Sequence, residues 1–164
     1  MNKKQMPEVF TTKNRKKEFD KVFSEKIVPF FLSEGFERHT KTSKRLFKIL
    51  GNGLSVFIFF EYKTFGYGYY DMTITYFDDE IGDVYNDQYL VIAKTKIQPI
   101  EGNNAEELNS SVNLWLKHVK SEIIPFIENH TTHKSILESD EFYISKAREN
   151  EIIQVLKKKS IKAH

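Results

Sequence analysis

Carboxylates are the side chains of this sequence whose spacing first invites chemistry. Between Asp71 and Asp87 stand six acids (Asp71, Asp78, Asp79, Glu80, Asp83 and Asp87) with no lysine or arginine among them. Such a run can hold a cation, face a basic partner through charge complementarity, or be a solvated loop between strands. The order Asp79-Glu80-Ile81-Gly82-Asp83 lacks the ligand pattern of an EF-hand loop. Adjacent carboxylates such as Asp78 and Asp79, or Glu106 and Glu107, cannot be given opposed acid and base roles. The sharper functional reading is a recognition patch made by Asp78, Asp79, Glu80, Asp83 and Asp87; the plainer one is a loop whose charges only keep it wet.

The turn Phe65-Gly66-Tyr67-Gly68-Tyr69-Tyr70 is the second candidate. Tyrosine gives contact area at low entropic cost, so Tyr67 and Tyr69 join the acids as partner-binding residues, although glycine between aromatics is also what a hairpin needs. Gly66-Tyr67-Gly68 lacks the third glycine and the strand-to-helix setting of a dinucleotide site.

Basic residues gather elsewhere. Arg38, Lys41, Lys44, Arg45 and Lys48 surround the first expected strand, and Lys157 to Lys159 follow the last helical pattern. With exposed aromatics they would suit a single-stranded nucleic acid or a small ligand, which is the alternative reading; a charged edge strand that discourages aggregation is the plain one. Lys plus Arg is 25 against 23 for Asp plus Glu, a net charge of +2, without the basic excess of an obligate nucleic-acid binder. His130 and His133 end a helical pattern with no third ligand at a familiar spacing, and His118 reads as a packing residue. The sequence has no cysteine, so disulfides, thiolate nucleophiles and cysteine-ligated zinc are excluded. No serine sits in a nucleophile elbow. No catalytic residue, cofactor or metal is expected, and an enzyme is the less favoured class.

The elements that must carry these residues follow from hydrophobic period. Residues 1–13 read as a frayed tail, and 14–160 as one domain, consistent with 164 residues of which 14% are aromatic. Phe19, Val22, Phe23, Ile27, Phe30 and Phe31 recur at helical spacing, with Pro29 expected to kink the last turn and Gly35 to cap it. The period then changes to two: strands over Leu46–Leu50, Leu54–Tyr62 and Tyr69–Phe77, joined by glycine-bearing turns, predict an antiparallel meander. A fourth strand is expected over Tyr89–Ile97. A second long helix opens at Asn104 with a capping-box spacing to Glu107, carries Leu108, Val112, Trp115, Val119 and Ile123, and meets Pro125 near its end. Ser135–Leu156 reads as one or two shorter helices. The similarity of Ser24–Phe30 to Ser121–Phe126 needs a one-residue gap and reads as chance.

The order of an apolar helix (Phe30 to Phe36, ending in Gly35-Phe36), a basic segment (Lys41 to Phe47) and an aromatic strand (Val56 to Phe60) resembles the bacterial domain-of-unknown-function family 4304. The resemblance spans about residues 16–130. One departure is that this chain has Glu61-Tyr62-Lys63-Thr64 where the family's strand usually ends near Gln-Lys-Ser. The resemblance implies an α+β fold, brings no catalytic residue, and points loosely to bacterial conflict systems in which such small proteins act as immunity proteins.

The expected architecture is therefore α+β: an antiparallel sheet of four or more strands packed against two long helices, with an extra C-terminal helix. Both faces of Leu54–Tyr62 are apolar, so both are expected to be covered, the second by the C-terminal helices or by another copy of the chain, which leaves monomer and homodimer open. The expected function is a cytoplasmic protein-binding module with a basic partner and no membrane, since no signal peptide or membrane-length apolar run is visible.

Overall fold

The structure, a computed structural model, describes residues 9–64 and 68–162. The antiparallel meander forms as its period-two pattern requires. Strands β1 (Glu37–Arg38), β2 (Arg45–Gly51), β3 (Leu54–Lys63), β4 (Tyr69–Asp78), β5 (Val91–Ala93) and β6 (Phe142–Tyr143) lie side by side in chain order, every pair antiparallel. The β2–β3 turn runs through three left-handed residues, Gly51 (φ 104°), Asn52 (φ 55°) and Gly53 (φ 80°), which is why glycine flanks asparagine there. The expected fourth strand is shorter than its pattern: only Val91–Ala93 pairs, opposite Thr75 and Tyr76, and the chain then leaves the ladder before Ile100 returns as a bridge to Tyr70.

Alternation assigns the two faces. Leu46, Leu54, Val56, Ile58, Tyr70, Met72, Ile74 and Tyr76 are buried on one side. Both long helices cover that side. The first starts at α1 (Thr12–Val22), capped by the Thr11 hydroxyl, and continues through Phe23–Ile27 into α2 (Val28–Ser33). The second runs from α3 (Ala105–His118), capped by Asn104 with Glu107 answering, through Val119–Ile123 into α4 (Ile124–Glu128). Trp115, Phe19, Phe23 and Phe31 fill the space between helices and sheet.

The two long helices share a device, placed at the similar segments Ser24–Phe30 and Ser121–Phe126. In each, a widened π turn precedes a proline: Val28 N–H donates to the Phe23 carbonyl before Pro29, and Ile124 N–H to the Val119 carbonyl before Pro125. Proline lacks a donor and crowds the preceding turn, and an i→i−5 turn relieves both without breaking the helix. The Ser-Glu…Pro-Phe similarity is thus the sequence of a common π-turn solution.

The C-terminal part comprises α5 (His133–Leu137), β6 and α6 (Glu149–Lys162). Ile152, Val155 and Leu156 of α6 join the same core as the long helices. The C-terminal helices therefore do not cover the second face of β3.

Candidate functional site

The acidic segment is divided in two by the fold. In its first part, Asp78 is not on the surface. Asp78 is the last residue of β4, faces the helix side and is fully buried. Burial of a carboxylate is costly unless it is paired, and three groups pair it. His133 at the start of α5 donates from Nε2 to Asp78 Oδ2 at 2.6 Å. Lys159 of α6 donates from Nζ to Oδ1 and Oδ2 at 3.1 and 2.9 Å. The Glu80 backbone N–H donates to Oδ1 at 2.9 Å. Burial alone would raise the Asp78 pKa, but the hydrogen bonds from His133 and Lys159 outweigh it and hold the carboxyl below its ordinary range.

The same ammonium reaches the Asn52 carbonyl at 2.8 Å, Asp79 Oδ1 at 2.9 Å and Glu80 Oε2 at 3.3 Å. Asp78, Asp79 and Glu80 offer oxygens within 4.8 Å of one another, close enough to ligate an ion. Lys159 contacts all three, so the charge a cation would supply there is already supplied by the chain. Burial would lower the lysine pKa, but the carboxylates raise it on balance. Lys158 also pairs with Glu80, whose pKa is lowered by the two lysines. This cluster ties the Gly51–Gly53 turn and the end of β4 to α5 and α6, and its chemistry is structural.

The second part borders the open face of the sheet. Cross-strand register places Arg45 opposite Phe59, Phe47 opposite Phe57, Phe57 opposite Thr75, and Ser55 opposite Phe77, all on the side away from the helices. No described α-helix lines the grooves on this side; the short 3-10 turn Val84–Asn86 borders one of them. Phe57 and Phe77 are nonetheless buried, since the 83–89 segment lies beside them: Tyr85 meets the His39 ring at 5.4 Å, and His39 meets Phe57 at 5.5 Å and Phe47 at 6.0 Å. Two grooves result. One, of about 370 Å³, is lined by His39, Phe47, Phe57, Phe77 and Tyr85, with Asp79 and Asp83 also among its bordering residues. The other, of about 400 Å³, lies between Lys44, Arg45 and Phe59 on one side and Asp87 and Tyr89 on the other.

The remaining candidate residues fall as follows. Asp79, Glu80, Asp83 and Asp87 are exposed. Asp83 accepts the Asn86 backbone N–H at 3.0 Å, Asp87 adopts φ 53°, and among the described residues neither carboxylate forms an ion pair. Tyr69 begins β4 and lines a cavity of about 810 Å³ with Pro99, Glu107, Ser111 and Leu114. The polar groups there are engaged in starting α3, with Glu107 accepting the Asn103 N–H and Ser111 the Glu101 N–H. Tyr67 lies outside the described residues. His130 does not share a ligand face with His133; its Nδ1 bonds the Phe126 carbonyl and its ring packs on Phe126 and Phe142.

Sequence reasoning missed His133 and Lys159 as partners of Asp78. A signal existed for the lysine: Ile152, Val155, Leu156 and Lys159 recur at three- and four-residue spacing, so Lys159 falls on the apolar stripe of α6 while Lys157 and Lys158 do not. Compared with known protein families, with curated proteins and with solved structures, the chain matches none.

Proposed function

We propose that the chain is a protein-binding module that takes a basic partner on the open face of its sheet, with Asp83 and Asp87 at the rim. The observation that carries the reading is the pairing of an aromatic surface on β2–β4 with carboxylates that no described cation neutralises. An apolar floor supplies contact area, and rim charges steer encounter and reject partners of the wrong sign. The acidic patch is narrower than the sequence indicated: Asp78 is withdrawn from it, and Asp79 and Glu80 are partly neutralised by Lys158 and Lys159.

Phosphate-bearing ligands fit the same face less well. Glu61 and Asp71 stand opposite each other on it, Asp83 and Asp87 border its grooves, and Lys63 pairs with Glu61 at 3.1 Å, so Lys44, Arg45 and Lys63 give the face no basic excess. Lys44 is also engaged with Asp20 at 2.6 Å. The resemblance to family 4304 adds a direction, toward an immunity protein whose partner is a basic toxin domain.

Capture from nuclease-treated lysate of the native host, compared between wild type and the double variant Asp83→Asn/Asp87→Asn, tests the reading. A stoichiometric basic protein held by wild type and released by the variant, with loss of about tenfold or more in affinity, is the expected result. Capture unaffected by neutralising both carboxylates, or abolished by nuclease, overturns it.

A further inference from the structure

We propose that the groove between His39, Phe47, Phe57, Phe77 and Tyr85 receives an arginine side chain of the protein partner. This rests on the docking reading above and specifies its anchor. The floor is aromatic: the Phe47 and Phe57 rings are stacked at 5.3 Å with 19° between planes, and Phe77 meets Phe57 edge-on at 5.1 Å. One wall is His39 with Tyr85, the latter 77% exposed. Such a channel suits a long apolar stem. The groove itself is apolar, and the exposed residues Asp79 and Asp83 are among those that border it, so a cationic tip on the occupant would have carboxylates within reach. Asp79 is shared with Lys159, whereas Asp83 accepts only a backbone N–H from the described residues.

The molecule's own packing supports the geometry. On the same face, one row further along the strands, the Arg45 guanidinium lies 5.5 Å from the centre of the Phe59 ring, and Phe59 stacks on Phe57 at 5.8 Å with 19° between planes. A guanidinium therefore already rests on the neighbouring part of this aromatic surface. A planar guanidinium is attracted to aromatic faces and can still meet a carboxylate with its fork of N–H donors, which a lysine ammonium does less specifically. An aliphatic side chain would use the floor and leave Asp83 without a role.

The test titrates the isotope-labelled full chain with acetyl-Gly-Arg-Gly-amide and follows backbone and aromatic NMR shifts. The same peptide with citrulline keeps the shape without the charge, and with norleucine keeps only the stem. Millimolar binding of the arginine peptide is expected, with shifts at His39, Phe47, Phe57 and Tyr85. Binding should weaken about fivefold or more for the citrulline peptide, and similarly for the arginine peptide with Asp83→Asn or Tyr85→Ala. Equal binding of the three peptides, shifts confined to other residues, no binding at tens of millimolar, or displacement onto this face by a short oligothymidylate would overturn the proposal. A captured partner that depends on Asp83 and Asp87 without arginine selectivity would sink the anchor alone. Arginine selectivity with no such partner would sink the docking reading instead.

Discussion

Asp78 to Glu80 and Asp83 to Asp87 belong to one acidic run, yet the fold uses them in opposite ways. The first group converges on Lys159, with Asp78 fully buried between that lysine and His133. The second group is exposed and forms no ion pair among the described residues. What separates them is a lysine about 80 residues away in sequence, brought back by α6. A run of like charges therefore carries no function by itself; whether the rest of the chain neutralises it decides.

Removing the buried anion should produce the largest effect. Asp78→Ala strands His133 and leaves Lys159 with the Asn52 carbonyl and the more exposed Asp79 and Glu80. Breaking one partner of a buried pair costs about 3–5 kcal/mol. At about 2–4 °C per kcal/mol for a chain of this size, the melting temperature should fall by roughly 10 °C. Urea unfolding of Asp78→Ala, Lys159→Met and the double variant would give the coupling directly. The double variant should lose clearly less than the sum of the two single variants, because it removes both charges together. Additivity would mean that Lys159 and Asp78 are neighbours without being partners, and the contrast between the two halves of the acidic run would fail.

The same cluster sets a pH dependence. The native Asp78 pKa lies below its unfolded value, near 3.9 for an ordinary aspartate, so its contribution is complete above that pH and is lost as pH falls through the native value. Lys159 has the opposite sign: its native pKa is raised, so its contribution is complete below about 10.4 and is lost as pH rises through the native value. The alkaline limb is shared with Tyr70 and Tyr76, whose burial pushes their phenols up. Stability of the wild type should thus be level through neutral pH and fall below about pH 4. The acid limb should be shallower in Asp78→Ala when urea midpoints are measured from pH 3 to 7. An identical acid limb in both proteins would place the titrating groups elsewhere.

A smaller loss is expected at the turn that feeds the cluster. Gly53 has φ 80°, and a Cβ built there would lie 2.2 Å from Asp79 Oδ1. Gly53→Ala should cost about 1–2 kcal/mol from backbone strain and displacement of the Asp79 carboxylate. Asn52, whose carbonyl receives Lys159, would move with it. Unchanged stability would show that the turn and the charge cluster are independent.

These contrasts show what the sequence made legible. The Leu54–Tyr62 and Tyr69–Phe77 strands and both long helices are visible because period and turn chemistry are local signals, and the structure has them within a few residues. The fourth strand is shorter than expected because Lys94 and Lys96 alternate with Thr95 and Ile97, so a strand-like period continues past Ala93 although the ladder stops there. The π turns were illegible because a proline inside an apolar helical run indicates a kink without indicating how the helix absorbs it. The division of the acidic run was hidden for another reason. Asp78 alternates with Tyr76 and Ile74 on the core side of β4, but an aspartate at a strand end reads as loop unless its counter-ion is known.

Neutralising the other half should have the smallest effect on stability, and the residues themselves say why. Asp83 starts a short 3-10 turn by accepting the Asn86 backbone N–H, and asparagine caps in the same way. Asp87 closes that turn with φ 53°, a left-handed position that asparagine tolerates at least as well as aspartate. Neither carboxylate loses an ion pair among the described residues, so Asp83→Asn/Asp87→Asn should shift the unfolding free energy by no more than about 0.5 kcal/mol. Differential scanning calorimetry beside Asp78→Ala checks this. A loss of more than about 2 kcal/mol would mean that the exposed half also holds the fold together, and its carboxylates would then be the wrong place to look for a partner.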